Sequence, residues 1–180
     1  MLNEYESADL TSKLNFNYYK KNSIIIKSGI VCDRIFFIEK GLVKHRYNLN
    51  DREKTVRFFS EDELFTSIGS YSEGTPAKYD TIALEDTTVS SILYSDLEDL
   101  TKKHLGIMRL MDKIFSDAAH QILKLMHTYI DLDAASRYQL FEDKHPHLSN
   151  RLALKEIANH LEISQVTLSR IRAARVSKNK

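Results

Sequence analysis

The chain has 180 residues, 42% of them hydrophobic, and a formal net charge of +1. This composition can build a buried core in one large or two small domains, and it excludes a disordered chain. A single cysteine, Cys32, excludes an intramolecular disulfide and an iron–sulfur cluster. We find no basic segment followed by an apolar run at the N-terminus and no apolar stretch long enough to span a bilayer. We therefore expect a cytoplasmic protein with no membrane partner.

The small net charge hides an uneven distribution of charge along the chain. Residues 151–180 carry seven Lys and Arg against two Glu, which gives +5 and leaves −4 for the rest of the chain. A basic end of this kind indicates a domain that meets nucleic-acid phosphates. A solvated basic tail is the alternative and accounts for at least Lys178 and Lys180.

Residues 23–94 have the pattern of short antiparallel strands. The segments SIIIKSG, RIFFIEKG, LVKHRYNLNDREKTVRFF and TIALEDTTVSSILY are rich in β-branched and aromatic residues, with turn residues between them. The third segment predicts a hairpin whose turn lies at residues 48–52. The pattern favours a β-barrel or sandwich.

The period changes to that of a helix at Ser95. The sequence Ser95-Asp96-Leu97-Glu98 has the form of a capping box and predicts a helix start, with a break near Gly106. A row with the spacing of a coiled-coil seam follows, which predicts a homodimer helix: Met108, Met111, Phe115, Ala118, Ile122, Leu125 and Tyr129. The alternative is a long helix that packs only on its own β domain, a role that the flanking Ile107, Leu110 and Ile114 can fill.

The C-terminal residues predict a small helical unit. A helix over residues 134–144 precedes two short helices with the apolar spacing of a helix-turn-helix, and Ser164 is suited to cap the second one. In that motif the second helix enters the major groove of DNA. Its outward side chains are Gln165, Thr167, Ser169, Arg170 and Arg172, of which Arg170 is the best candidate for a base contact. The alternative is the last helical hairpin of an ordinary core.

At this point the residues carry a family resemblance over nearly the whole chain. RYQLFEDKHPHLSNRLALKEIANHLEISQVTLSRIR resembles the DNA-binding end of the Crp/Fnr family of bacterial transcription regulators, in the branch common in Bacteroidetes. DRIFFIEKGLVKHRY, RFFSEDELF and TIALEDTTV resemble that family's cyclic-nucleotide-binding β-roll.

The resemblance implies an α+β protein with three parts. These are an N-terminal antiparallel β-roll at residues 1–94, a helical region with the dimerisation helix at 95–132, and a winged-helix-like helix-turn-helix domain at 133–180. It implies no enzymatic activity. The implied partners are double-stranded DNA, a second copy of the chain and, as a further candidate, RNA polymerase.

Several positions depart from the family pattern. The effector pocket would hold Phe65, Thr66, Ser67 and Lys78, but it lacks the Gly-Glu pair and the arginine that bind a cyclic nucleotide, and lysine cannot replace the bidentate guanidinium. We therefore do not expect the pocket to bind cyclic AMP. It would hold another small effector or none. The sequence has no candidate haem ligand that stands out.

The DNA-reading end departs from the family as well. Glu162 stands in the turn where the family usually has glycine, which predicts a strained or altered turn. We also count Val166 among the predicted DNA-binding residues. It stands where many family members have a glutamate in the recognition helix, and an apolar side chain there favours contact with a thymine methyl over cytosine.

Two further functions remain open on the sequence alone. A cupin-like metalloenzyme would need several His and carboxylate ligands on neighbouring strands, and His45 is the only histidine of the β region, so we predict no metal site. A ligand-binding or protein-interaction module of the same fold that has lost specific DNA binding is the stronger alternative. Glu162 and Val166 leave it open.

Overall fold

The computed structural model describes residues 2–49, 52–129 and 132–178. They form two compact units, one of residues 1–47 with 57–120 and the other of residues 48–56 with 121–180. None of the described helices is long and apolar enough to cross a membrane.

The strands form two four-stranded antiparallel sheets, which lie mainly in the first unit. The sheet orders are β1-β8-β3-β6 and β2-β7-β4-β5. The strands run as β1 Asn15–Tyr19, β2 Ile24–Ile26, β3 Arg34–Lys40, β4 Val43–Leu49, β5 Arg52–Phe59, β6 Leu64–Phe65, β7 Asp80–Ala83 and β8 Thr87–Leu93. This architecture confirms the predicted β-roll. β4 and β5 are neighbouring strands, as the predicted hairpin requires, and residues 50 and 51 of its predicted turn lie outside the described residues.

The inward face of the roll is apolar because alternate residues of each strand point to the same side. Ile38, Val43 and Val89 are completely buried between the sheets. The rings of Phe36 and Phe65 stack with centroids 4.9 Å apart. The core thus fills the space between the two sheets.

Four helices accompany the strands: α1 Glu4–Ser12, α2 Ile68–Glu73, α3 Tyr94–Lys103 and α4 Leu105–Tyr129. The predicted capping box is wrong, because α3 begins at Tyr94 with Leu93 at its N-cap and no side-chain cap hydrogen bond. The predicted break lies at His104, two residues before Gly106.

The sequence reasoning missed α1, which supports the start of α4. Glu6 Oε1 accepts a hydrogen bond from the backbone N–H of Gly106 at 2.9 Å, and Glu6 Oε2 accepts from Asn3 N at 3.0 Å. Asn3 Oδ1 accepts from Glu6 N in return. One carboxylate therefore satisfies free amides at the starts of two helices, which otherwise lack partners.

Gly41 joins β3 to β4 in a conformation that other residues rarely adopt. Its φ is +123°, and a Cβ atom there would lie 2.7 Å from the Cα of Thr87. We expect Gly41→Ala to lower the free energy of unfolding by at least about 2 kcal/mol, because it adds backbone strain to a clash with a buried strand. Urea unfolding at constant pH measures the loss.

Gly29→Ala is the matched control for this substitution. Gly29 also has a positive φ, of +83°, but a Cβ atom there meets nothing within 4 Å. Its loss of stability should therefore be the smaller one. Equal losses in the two variants would show that the approach to Thr87 is unimportant.

The second unit contains three further helices, α5 Ala134–Lys144, α6 Leu154–Leu161 and α7 Gln165–Lys178. Their shared core is made of completely or almost completely buried apolar side chains: Phe141, Leu148, Ile157, Leu161 and Leu168. The helix predicted at 134–144 and both helices of the predicted helix-turn-helix are confirmed. Residues 48–56, at the end of the β4–β5 hairpin, belong to the same unit.

Candidate nucleic-acid interface and effector pocket

The first turn of α7 is held by the side chain that the sequence indicated. Ser164 Oγ accepts a hydrogen bond from Thr167 N at 3.0 Å, which satisfies one of the free amides of the helix start. Leu168 faces the core and is completely buried. The other side of this turn is exposed: Gln165, Val166, Thr167, Ser169 and Arg170. Five of the six predicted DNA-binding side chains are therefore exposed on the first turns of α7.

Arg172, the sixth, lies elsewhere. It is half-buried, and its Nε donates to the hydroxyl of Tyr138 on α5 at 2.9 Å. Tyr138 donates in turn to Glu142 at 2.6 Å, and Arg175 Nη1 donates to the same carboxylate at 3.0 Å. This network ties α7 to α5, a role that the sequence reasoning missed because the partners are more than 30 residues apart.

Glu142 is ionised at the centre of that network. Burial raises the pKa of its carboxyl, but the hydrogen bonds from Ser149 and Tyr138 and the charges of Arg175 and Arg172 outweigh it and leave the pKa below its ordinary value. The two α7 arginines therefore meet a negative charge within their own unit.

The turn between α6 and α7 has a left-handed backbone conformation, which is unfavourable for glutamate. Glu162 adopts the left-handed region, with φ 56° and ψ 41°, and its N–H bonds to Ala158 O. The side chain is exposed and forms an ion pair with Lys54 Nζ at 2.9 Å. Helix α6 therefore ends in a left-handed residue, as is common, but that residue is glutamate and not glycine. This strained turn is the one that the sequence predicted.

Substitutions at Glu162 should separate backbone strain from the ion pair. We expect Glu162→Val to lower the free energy of unfolding by about 1–2 kcal/mol, since a β-branched residue tolerates this region worst. Glu162→Gly should stay within about 0.5 kcal/mol of the parent protein, because relief of strain offsets the added freedom of the unfolded chain. Both variants lose the Lys54 pair, so equal unfolding midpoints in urea would assign any effect to that pair.

The end of the β4–β5 hairpin packs against α6 within the second unit. His160 Nδ1 donates to Thr55 O at 3.2 Å, and Asn159 Nδ2 lies 3.5 Å from Glu53 Oε1. Burial lowers the pKa of His160 to about 4, so its ring is neutral at neutral pH. The sequence indicated the hairpin and the helix separately and did not indicate their contact.

The predicted effector pocket is only partly assembled. Thr66 and Ser67 line a cavity of about 10 Å³ together with Ile26, His45, Ala77, Tyr79 and Thr81. Phe65 is buried in the roll, and Lys78 is exposed and does not line the cavity. A space of this size holds about one water molecule.

Aromatic side chains occupy the surroundings of this cavity. The His45 ring is stacked on Tyr79 at 6.0 Å and meets the edge of Phe59 at 4.6 Å, while its Nδ1 lies 2.8 Å from Thr81 Oγ1. Burial, and next the charge of Arg57, lower the pKa of His45 to about 4. A neutral imidazole therefore belongs to the pocket wall, a role that the sequence reasoning did not foresee.

Thr66 and Ser67 have structural hydrogen bonds of their own. Thr66 Oγ1 donates to Arg34 O at 2.9 Å, and Ser67 is the N-cap of α2 and accepts from Ser70 Oγ at 2.9 Å. Among the described residues, no group of three or more His, Cys, Asp or Glu is arranged to hold a metal ion.

The predicted dimer row on α4 is divided between two environments. Met111 and Phe115 pack on the core of the first unit, and the Phe115 ring stacks on Tyr71 at 5.1 Å. Met108 and Ile122 are 39% and 40% exposed, and Ala118 is half-buried. The side chains of Leu125 and Tyr129 lie outside the described part of the structure.

The flank expected to pack on the β domain does so only in part. Ile107 is completely buried and Ile114 is half-buried, but Leu110 is 37% exposed. The single chain therefore leaves apolar surface uncovered on more than one side of α4.

Comparisons with known proteins agree with this architecture. Residues 16–104 match the family model of the cyclic nucleotide-binding domain. None of the curated proteins matches the chain.

Solved structures resemble nearly the whole chain at low sequence identity. FixK2 from Bradyrhizobium japonicum is 18% identical, with a TM-score of 0.78 over 92% of this chain and 86% of its own. A Crp/Fnr-family regulator from Eubacterium rectale is 16% identical, with a TM-score of 0.74 over 98% and 85%. The catabolite activator protein of Thermus thermophilus is 18% identical, with a TM-score of 0.60 over 99% and 85%.

Proposed function

We propose that this chain is a DNA-binding transcription regulator that acts as a homodimer on a pseudo-palindromic operator. Its match to the cyclic nucleotide-binding domain and its structural similarity to Crp/Fnr-type regulators support the proposal. Two recognition helices about one DNA turn apart would read the half-sites of the operator. The β-roll would be the effector domain, the helical region the dimer contact and the C-terminal helices the DNA-binding domain, with boundaries near residues 94 and 132.

The observation that carries the proposal is the exposed face of α7. Gln165 and Arg170 offer side chains that pair with adenine and guanine edges, and Thr167 and Ser169 offer hydroxyls for phosphates. Val166, 61% exposed, offers an apolar contact for a thymine methyl. Leu168 packs into the core and Ser164 caps the helix, so the first turns of α7 are fixed with these side chains exposed.

Salt dependence of DNA binding tests this function. The logarithm of the affinity for DNA should fall steeply with the logarithm of salt concentration, with a slope near −0.9 for each phosphate contacted. Mapping the bound sites across the genome of the source organism would supply the operator. A weak affinity that salt does not change would refute the regulator.

A second candidate function is a ligand-binding or protein-interaction module without specific DNA binding. The internal use of Arg172 favours it, since the bond to Tyr138 reduces the positive charge available to DNA. The exposed Val166 favours it as well, because it lacks the carboxylate that reads a base in the family pattern. Salt-independent association and the absence of bound genomic sites would support it over the first.

Cyclic AMP is not the effector in this proposal. The cavity lined by Thr66 and Ser67 is about 10 Å³, and Lys78 does not reach it. Titration calorimetry with cyclic AMP should give no saturable heat, and a saturable signal would contradict the proposal.

A further inference from the structure

The first unit contains a second and larger cavity, on the side where β1 and β2 run. Its volume is about 200 Å³. β1 and β2 are the edge strands of the two sheets, so the space between them has no neighbouring strand to close it. The lining residues are Asn17 and Tyr19 of β1, Ile25 and Ile26 of β2, residues 27 and 30–33 of the following loop, and Arg34 and Phe36 of β3.

Part of the lining of this cavity is apolar, and we call the exposed loop residues 30 and 31 its mouth. Ile26 and Phe36 also line it and are 5% and 3% exposed. Ile30 and Val31, in the loop, are 58% and 49% exposed. Large β-branched side chains at the mouth of a concave site offer apolar surface that a ligand can cover.

The loop that carries Ile30 is tied to the rest of the unit. Gly29 N donates to Ala77 O at 2.9 Å, and Ala77 N donates to Ile30 O at 3.0 Å. Ser28 N donates to the carboxylate of Asp80 at 2.9 Å. The mouth is therefore largely preformed, which lowers the entropy cost of binding.

Cationic and hydrogen-bonding groups also line the cavity. Lys27 and Arg34 carry two positive charges there, against the single negative charge of Asp33. Arg34 donates to both carboxylate oxygens of Asp33, from Nε at 2.8 Å and from Nη2 at 3.2 Å, but the Asp33 side chain is 63% exposed, so water screens that pair.

Tyr19 contributes a donor. Within the described residues, the structure shows no hydrogen-bond partner for its hydroxyl. Burial raises the pKa of Tyr19, so the hydroxyl keeps its proton at neutral pH.

We propose that this cavity binds a small amphipathic carboxylate, whose hydrocarbon part covers Ile30 and Val31 and whose carboxylate lies beside Arg34, Lys27 and the Tyr19 hydroxyl. Pockets for drug-sized molecules usually have volumes of about 300–1,000 Å³, so this smaller cavity favours a smaller ligand. The Thr66 and Ser67 cavity is a separate space, with Ile26 lining both. The site does not depend on the DNA-binding function proposed above.

NMR of the full chain with labelled isoleucine methyl groups tests the site. The probe is hexanoate, and 1-hexanol is its uncharged counterpart. We expect saturable shifts at Ile25, Ile26 and Ile30 with hexanoate at a dissociation constant of about 1 mM or tighter. Hexanol should bind at least about tenfold more weakly, because it lacks the charge that the cations recognise.

Variants assign the binding to the named groups. Arg34→Gln and Lys27→Gln should each weaken hexanoate binding about fivefold without changing the affinity for hexanol. Lys40→Gln removes an exposed charge at the far end of β3 and should leave both affinities unchanged. If Arg34→Gln loses the parent spectrum, Lys27→Gln carries the comparison by itself.

Three results would overturn the proposal. The first is an absence of saturable shifts at these isoleucines up to about 20 mM hexanoate, well above the expected constant. The second is equal affinity for hexanoate and hexanol, which would show apolar adsorption only. The third is a hexanoate affinity that the Gln variants leave unchanged.

Discussion

Arg170→Ala is expected to abolish specific binding to the operator while the protein remains a folded dimer. Arg170 is exposed on the outward face of α7. A bidentate arginine contact to guanine contributes about 1–3 kcal/mol of discrimination. A dimer loses that contact in both half-sites, so the affinity should fall by roughly 30-fold to 10⁴-fold.

A gel-shift titration at fixed salt, on an operator selected with the parent protein, measures this loss. Arg170→Lys separates base reading from phosphate binding, because lysine keeps the charge and loses the planar fork. We expect it to resemble the alanine variant on the operator and the parent protein on random DNA. Lys20→Ala, an exposed charge of the β-roll, is the control for net charge and should bind as the parent protein does.

Unchanged operator affinity in Arg170→Ala would remove Arg170 from the base-reading residues. An equal loss on operator and random DNA would make it a phosphate contact instead.

The second large effect concerns the dimer. Ile122→Asp should convert the protein into a monomer, because two symmetry-related carboxylates would be buried against each other and against apolar side chains. Ile122 belongs to the heptad row and is 40% exposed in the single chain. We expect the dissociation constant of the dimer to rise more than about 100-fold, since burying an unpaired charge costs several kcal/mol.

Leu123→Asp is the matched control, because the two residues are neighbours and Leu123 is the more exposed, at 57%. Successive helix residues point about 100° apart, so Leu123 lies off the row and its substitution should leave the dimer intact. Sedimentation equilibrium of both variants gives the comparison. A dimer that survives Ile122→Asp would contradict the seam and favour a helix that packs only within its own chain.

Much of the fold could be predicted because the deciding signals are local. β-branched and aromatic residues between turn residues indicated strands of the roll, and an apolar spacing of three and four indicated the two helices of the helix-turn-helix. Ser164 was correctly identified as a cap because the bond to Thr167 spans only three residues. The left-handed Glu162 was expected because the resemblance places it where the family usually has glycine.

Other features depend on partners far apart in sequence. Ser95 and Glu98 have capping-box chemistry, but the helix already begins at Tyr94, which removes Ser95 from the cap position. The sequence predicted that Arg172 is available for DNA, but its side chain donates a hydrogen bond to Tyr138, which is 34 residues away in the sequence. Glu6 and Gly106 are 100 residues apart, and neither residue indicates the other.

The pocket shows the same division between local and distant signals. Thr66 and Ser67, predicted for the effector pocket from their position after Phe65, line the roll's small cavity, and their role there stays a prediction. Which side chains fill the space around it was decided by β4, β5 and β7, which bring His45, Phe59 and Tyr79 together. Lys78, which was predicted for the pocket, does not line the cavity.

The sequence by itself determined the succession of a strand-rich part, a long helix and a helix-turn-helix, the basic C-terminal end and the chemistry of the exposed α7 residues, because periodicity, capping and charge act over a few residues. Only the tertiary structure decided which arginines remain available, where the roll is filled and where it is open. Those outcomes depend on side chains that meet across sheets and helices, and a buried polar group or cavity is defined by all of its neighbours at once.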